Sequence, residues 1–386
     1  MTAEERNIDF LLTGTLEGVF FNPFRPEGLQ FTAGPPNPLN VRVAPEKPDS
    51  DPGGFQHGLN CRSVTSRSVP TKLANFVEQL IHRKFDWPDE PLVPLIEREQ
   101  VQIDAAGNIA EGFSVPFDLY PSALQEVCDD VFRELREGLE RFLKLLRWQQ
   151  EIDAPHQVFE FEPALYWRVA EGPYWHVGQR RRGSSTTQSP AGITWSNEDQ
   201  REFGALWAQP AAEEPLAHEL LREAKMALQG SPRSALLLTA TALETGVKMH
   251  AAKLVPDAGW LLSEMPSPPI HKMLRDYIPM LHAGRGTGLA DWAKLRPLFK
   301  DAQNLAEYRN DLTHAGEMPA DVLATVPQLI TSVSDLLYVL DMLEGHEWAK
   351  ECVSRKTREL LGWPKARRQR YFVRMNIKEV PRVRAS

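Results

Sequence analysis

Apolar and polar residues change their spacing along the chain, and the change predicts two regions of different architecture. Before about residue 70, short β-type apolar runs alternate with Pro and Gly breaks, a pattern typical of strands. From about residue 211, apolar residues recur every three or four positions, a pattern typical of helices. The chain is therefore predicted to be a multi-domain α+β protein. Residues 1–205 form a mixed, β-rich region with helices, in one or two units, and residues 211–350 form an all-α antiparallel bundle.

The N-terminal region is predicted to contain short strands and two helices. The strands are predicted at residues 10–12, 18–21, 29–31, 39–43, 101–104, 158–161 and 164–169. The helices are predicted at residues 70–84 and 122–150, where apolar side chains recur at helical spacing. Residues 203–214, which include Pro210, are predicted to be the linker into the bundle.

The bundle is predicted to contain five helices joined by short connections, which implies antiparallel neighbours. They are predicted at residues 213–229, from Pro232 onward, 270–281, from 289 or 290 to 314, and 320–343 with an irregularity at Pro327. Ser231 is the predicted N-cap of the second helix, and Pro232 is its predicted first residue. Residues 235–243 are apolar almost all round, which predicts a central, buried helix.

Composition places the chain among ordinary soluble proteins. Apolar residues make up 42% and charged residues 25%, the N-terminus lacks a secretory signal pattern, and the apolar run at 235–242 is too short to span a bilayer. Cys61, Cys128 and Cys352 are widely spaced, so neither a disulfide framework nor a metal knuckle is expected. A reducing cytoplasm is the expected compartment.

Charge is distributed unevenly. The net charge is -8, yet the tail at residues 351–386 holds eleven Lys or Arg and three acids, a local charge of +8, so the rest of the chain carries about -16. A basic tail can attract the phosphates of a nucleic acid. It can equally pair with the acidic body, and charge alone does not decide between these alternatives.

Arg309 and His314 are the residues that point to chemistry. They lie in the string Y-R-N-D-L-T-H at the end of the fourth predicted bundle helix. Histidine can move a proton near neutral pH, and arginine offers a fork of donors with a fixed positive charge, which suits attack of a ribose 2'-hydroxyl on a phosphate. On a regular helix the two lie about 140° apart, so fraying after His314 would be needed to bring them together. The alternative is structural: a helix-end histidine that caps, and an arginine that pairs with Glu307 or Asp311.

The surrounding pattern resembles HEPN domains. The R-N-x-x-x-H string closes a long helix, and the Ser-Pro-capped apolar helix upstream carries Glu244 and Lys248. The resemblance covers residues 211–350. It implies a dimer in which two arginines and two histidines line one cleft, with Asn310 orienting the pair and Glu244 in support. It also implies metal-independent cutting of RNA to a 2',3'-cyclic phosphate and a 5'-hydroxyl.

Other polar clusters are candidate binding sites. Single-stranded RNA could contact the basic residues that lie near aromatic ones, namely Arg180, Arg181 and Arg182, and in the tail Lys365, Arg367, Arg368 and Arg370. A solvated loop or a partner is the alternative for each. The Gly-rich loop at 284–288 lacks a Lys-Ser/Thr pair and is predicted to be a connector. His250, His271 and His282 have no ligand spacing, so neither a metal nor a cofactor is predicted.

Two functional hypotheses follow. The first is a cytoplasmic HEPN-type endoribonuclease that acts on RNA as a homodimer, with no membrane partner, and whose N-terminal region answers to an unknown trigger. By analogy with the family it would be a toxin or an abortive-infection, antiphage defence factor. The second is a non-catalytic module that dimerises or binds a partner or nucleic acid.

Overall fold

The structure is a computed structural model. It describes residues 5–17, 19–22, 29–32, 40–45, 58–82, 117, 120–152, 164–177, 191–264, 269–289, 291–315, 319–367 and 371–372. The strands predicted at 101–104 and 158–161 lie outside these residues. Within them the protein is α+β: an antiparallel sheet dominates the N-terminal part, and the C-terminal part is mostly helical.

Two sheets contain the described strands. The strands are β1 (Glu5–Glu17), β2 (Val19–Asn22), β3 (Leu29–Thr32), β4 (Asn40–Pro45), β5 (Gly58–Pro70), β6 (Ala164–Val169), β7 (Trp175–His176), β8 (Ala191–Thr194) and β9 (Tyr371–Phe372). The main sheet is antiparallel throughout, in the order β3-β4-β5-β1-β6-β7. The second sheet has the order β2-β8-β9, so it joins the tail to the N-terminal region.

The pairing of β1 with β5 is the longest in the main sheet. It extends from Glu5 opposite Pro70 to Glu17 opposite Gly58. Ile8, Phe10 and Leu12 alternate along β1 and are fully buried, as expected for strand residues that share the inner face. Strand β5 was not predicted, because its buried positions include polar or small side chains that do not form an apolar alternation.

Two helices pack against β1 and β5. They are α1 (Thr71–His82) and α2 (Ser122–Gln150), and both confirm the sequence predictions. The buried side chains of α2 recur every three or four residues and include Leu124, Cys128, Val131, Leu135, Leu139 and Phe142. This stripe packs on the sheet, because helical periodicity places all these side chains on one side.

The described helices of the C-terminal part include the five predicted ones in the predicted order, with the third divided in two. Three further helices, at residues 197–207, 259–264 and 355–361, were not predicted. In chain order the helices are α3 (Asn197–Trp207), α4 (Leu216–Ala227), α5 (Pro232–Leu254), α6 (Gly259–Glu264), α7 (Ile270–Lys272), α8 (Ile278–Arg285), α9 (Arg296–Ala315), α10 (Ala320–Leu343) and α11 (Arg355–Leu361). A π-helical turn, Met273–Tyr277, joins α7 to α8. The Ser231 hydroxyl accepts from the Ser234 amide at 3.4 Å, so the predicted cap of α5 is confirmed.

Helix α10 is the central element of the bundle. It packs against α4, α5, α9 and the 3-10 turn Glu347–Cys352, and it continues across Pro327. By length and composition Asp321–Leu343 could cross a membrane, but 61% of its most apolar window is buried inside the protein. Burial among other helices accounts for its apolar composition.

The predicted linker at 203–214 is wrong in its first part. Helix α3 occupies residues up to Trp207, and Phe203 is fully buried, with its ring centroid 5.0 Å from those of Phe31 and Phe142. Aromatic packing across the main sheet therefore holds α3 in the core. Residues 208–215 form the actual connection to α4.

The predicted basic tail begins inside the folded body. Cys352 and Val353 are buried just before α11, and Leu361 is buried at its end. Asp335 of α10 accepts from the Ser354 amide and from the Thr357 hydroxyl, each at 2.6 Å. These bonds hold the start of α11 against α10, a non-local contact that composition does not reveal.

A buried carboxylate joins the two halves of the chain. Asp341 of α10 accepts from the indole N–H of Trp148, in α2, at 2.9 Å, and its Oδ2 lies 2.8 Å from Nε2 of His218, in α4. The hydroxyl of Tyr338 donates to the backbone carbonyl of Trp148 at 3.2 Å. All four side chains are buried, so the N-terminal region shares a continuous core with the bundle.

We expect Trp148→Phe to lower the free energy of unfolding by about 1–3 kcal/mol, because the buried carboxylate loses a donor. Urea denaturation followed by circular dichroism would measure the loss. Trp260→Phe is the matched control, since Trp260 is 74% exposed, and its effect should stay within about 0.5 kcal/mol. Equal effects of the two substitutions would contradict the assigned contact.

Candidate active site

Helix α9 carries the R-N-x-x-x-H string, and its apolar face holds it in the bundle. Leu298, Ala302 and Leu305 are buried on that face. The carboxylate of Asp301 accepts from the hydroxyl of Ser332, in α10, at 2.5 Å. The beginning of the helix is therefore fixed by packing and by a polar contact, and the string lies at its other end.

The three candidate catalytic residues of the string differ in exposure. Arg309 is half-buried, whereas Asn310 and His314 are exposed. Among the described residues, neither the Asn310 amide group nor the His314 ring has a hydrogen-bond partner. Glu307, one of the acids that could have paired locally, accepts from Gln303 at 2.8 Å. His314 is thus open to solvent in the last turn of α9, where a substrate could reach it.

The helix is regular to its end. It continues through Ala315, and the Thr313 hydroxyl donates to the Arg309 carbonyl at 2.9 Å within it. The fraying that would bring His314 towards Arg309 is therefore absent at His314, and the two side chains leave the axis about 140° apart. One copy of α9 does not present both on one narrow face.

The other predicted site residues lie in different surroundings. Glu244 forms an ion pair with Lys248, one turn further along α5, at 2.8 Å. Lys365 is exposed. Arg367 bonds to Glu198 and lies 3.2 Å from Glu351, so it contacts the acidic body. Arg180, Arg181, Arg182, Arg368 and Arg370 lie outside the described residues.

Two histidines that the sequence did not connect meet inside the bundle. His250 of α5 is 1% exposed and His282 of α8 is 2% exposed, and their Nε2 atoms lie 2.9 Å apart. Nδ1 of His250 lies 2.7 Å from Glu344, and Nδ1 of His282 lies 3.1 Å from the Thr287 hydroxyl. No local spacing could have revealed a group spread over three elements and a loop.

This group forms a continuous chain of hydrogen bonds when both rings are neutral. Thr287 donates to His282, His282 donates through Nε2 to His250, and His250 donates through Nδ1 to Glu344. The chain ties the loop after α8 to the end of α10.

Burial and neighbouring charges set the pKa values in this group. Burial lowers the pKa of His282, and the charge of His250 lowers it further. For Glu344, burial acts to raise the pKa, but hydrogen bonds from His250 and Lys253 outweigh burial and lower it. Both shifts favour a neutral His282 beside an ionised Glu344.

Among the described residues, no group of three or more His, Cys, Asp or Glu side chains could hold a metal ion. The three cysteines are buried and free, and burial raises the pKa of the Cys61 thiol. Comparison with known proteins finds no match to a family model, a curated protein or a solved structure. Function is therefore inferred from the residues themselves.

We expect stability to fall as the pH drops below about 6.5, the ordinary pKa of histidine. Because the pKa of His282 is lowered in the folded protein, the unfolded chain takes up a proton first. Stability falls further below pH 4.5, the ordinary pKa of Glu344, because the pKa of Glu344 is also lowered in the folded protein. Melting temperatures between pH 7.5 and 5.5 would measure the His282 contribution, and His282→Gln should flatten the slope.

His82→Gln is the control for that titration, since His82 is an exposed histidine at the end of α1. It should keep the wild-type dependence on pH. A wild-type slope in His282→Gln would show that other groups, such as His346, whose pKa burial also lowers, account for the dependence.

Proposed function

We propose that this protein is a metal-independent, HEPN-type endoribonuclease that acts through Arg309, Asn310 and His314. The observation that carries the proposal is the position of the string: it closes a long helix of the bundle, with Asn310 and His314 exposed. A histidine that only stabilised the helix end would be expected to bond nearby groups. Among the described residues, the His314 ring has no such bond.

The proposed reaction needs a proton carrier and a fixed positive charge. His314 takes the proton from the ribose 2'-hydroxyl or gives one to the leaving 5'-oxygen. The 2'-oxygen attacks the adjacent phosphorus and the P–O5' bond breaks, leaving a 2',3'-cyclic phosphate and a 5'-hydroxyl. Arg309 stabilises the negative charge that builds on the phosphorane oxygens. Asn310 orients the histidine or the phosphate through its amide.

The geometry of α9 favours a site built from two copies of the chain. Within one copy the Arg309 and His314 side chains diverge by about 140°. If two α9 helices approach around a twofold axis, the arginine of one copy can meet the histidine of the other. The half-buried Arg309 would then complete a site with the exposed His314 of its partner. We therefore propose a homodimer as the active form.

The N-terminal region has a regulatory role in this proposal. It is fixed to α10 through Trp148 and Asp341, and α10 in turn holds α9 through Ser332 and Asp301. A trigger bound to the N-terminal sheet could act on the bundle through these contacts. A cytoplasmic toxin or abortive-infection factor, acting on cellular or phage RNA, is the biological setting that we propose.

A direct test uses labelled single-stranded RNA in EDTA with wild type, Arg309→Ala and His314→Ala. We expect wild type to cut the RNA and each variant to lose at least about a hundredfold in rate, because proton transfer or charge stabilisation is removed. Gel analysis with cyclic-phosphate detection identifies the ends. Arg296→Ala, at the exposed start of α9, and His82→Ala are matched controls that should keep full activity.

Mixing the two inactive variants tests the shared site. A dimer of one Arg309→Ala chain and one His314→Ala chain holds one intact arginine–histidine pair if each pair spans two copies. Random exchange should then restore about one quarter of the wild-type activity. If each pair lies within one copy, the mixture stays inactive and the shared-site geometry is wrong.

A non-catalytic binding module is the second candidate. The regular end of α9 favours it, because one copy does not assemble the pair, and Arg309 is half-buried. In that function RNA binding would weaken steeply as salt rises, and His314→Ala would leave binding unchanged. RNA that stays intact with wild type across several sequences, while binding remains measurable, would favour this candidate over the nuclease.

A further inference from the structure

A groove beside α11 brings together cationic side chains and an indole ring that have no role in the proposed cleavage of RNA. It has a volume of about 460 Å³, within the usual range for small-molecule sites. Arg358, Trp363 and Lys365 line it, together with Glu351 and Glu359. The groove lies in what the sequence identifies only as a basic tail, and it is separate from the α9 string.

Arg358 is a buried cation whose hydrogen bonds are incomplete. Its residue is 4% exposed. Nε donates to the Val353 carbonyl at 3.2 Å and Nη1 to the Pro364 carbonyl at 3.1 Å, but Nη2 is buried with no hydrogen-bond partner among the described residues. A buried charged donor without a partner is unfavourable, so this position favours an anionic acceptor.

The acids that line the groove also contact cations other than Arg358, namely Arg367 and Arg355. The Glu351 carboxylate is 3.9 Å from Nη2 of Arg358, beyond hydrogen-bond distance, and it accepts from the amide of Arg367 at 2.7 Å. Glu359 accepts from Arg355 at 2.7 Å. The lining holds three cations, Arg355, Arg358 and Lys365, and two carboxylates, so its net charge is positive and favours a bound anion.

Trp363 adds a flat aromatic surface to this cationic site. Its side chain is half-buried, and Nζ of Lys350 lies 5.7 Å from its ring centroid. Indole rings stack with nucleobases of any sequence, and neighbouring cations contact the phosphate. A base and a phosphate within one groove of this size match a single nucleotide.

We propose that this groove binds a nucleoside monophosphate unit, free or at the end of an RNA chain. The phosphate lies against Arg358 and Lys365, and the base stacks on Trp363. The site does not depend on the chemistry proposed for Arg309 and His314, and it gives the protein a place to recognise a nucleotide effector or an RNA end.

Calorimetric titration of the full chain tests the site, with 5'-AMP, adenosine and inorganic phosphate as probes. The His314→Ala chain is used in EDTA, so that failure of the nuclease proposal does not alter the readout. We expect 5'-AMP to bind at least about tenfold more tightly than adenosine or phosphate, since only it offers both groups. A short RNA with a 5'-phosphate, titrated separately, distinguishes a chain end from a free nucleotide.

Lys365→Ala and Trp363→Leu should each weaken binding by about tenfold. Lys356→Ala is the matched control, because Lys356 is exposed on α11 and is not among the residues that line the groove. Unchanged melting temperatures establish that the variants fold. Because Lys365 is exposed, its substitution is expected to disturb the fold less than that of Trp363. Absence of binding by every probe at millimolar concentration, equal binding of phosphate and 5'-AMP, or binding unaffected by both variants would overturn the proposal.

Discussion

The buried carboxylate of Asp341 is the contact on which the arrangement of the two halves depends. It accepts a hydrogen bond from the indole N–H of Trp148 and contacts Nε2 of His218. Helices α2, α4 and α10 therefore meet at one point. A carboxylate removed from water is unfavourable unless its acceptor positions are used. Without Trp148 of α2 the carboxylate would lose one of these contacts. The N-terminal region is consequently part of the packed structure of the bundle.

Helix α10 positions both sites for which we propose a function. Ser332 bonds to Asp301 and so fixes the helix that carries the R-N-x-x-x-H string, while Asp335 bonds to Ser354 and Thr357 and so fixes the helix beside the groove. A long apolar helix with a few polar side chains suits this role. Apolar burial holds it in the centre, and each polar group directs one neighbour.

The charge of the basic tail is compatible with two roles, pairing with the acidic body and attraction of an anion, and both can apply. The acidic body attracts the basic tail at Arg367, which lies against Glu198 and Glu351. Two residues earlier, Lys365 is exposed on a groove whose lining has a net positive charge. The tail thus contributes one cation to internal pairing and another to a surface that suits an anion. Net charge could not separate these residues, because it records neither position nor partner.

Local rules allowed the sequence to determine the long helices and their order. The bounds of Ser122–Gln150 and Ala320–Leu343, and the cap at Ser231, follow from periodicity and from the geometry of proline and serine near helix starts. Tertiary structure alone decided strand β5, the helical start of the predicted linker, and the contacts of His250 with His282 and of Asp341 with Trp148. The reason is physical: helix caps and stripes depend on residues within a few positions, whereas buried polar pairs and aromatic clusters join residues far apart in the chain.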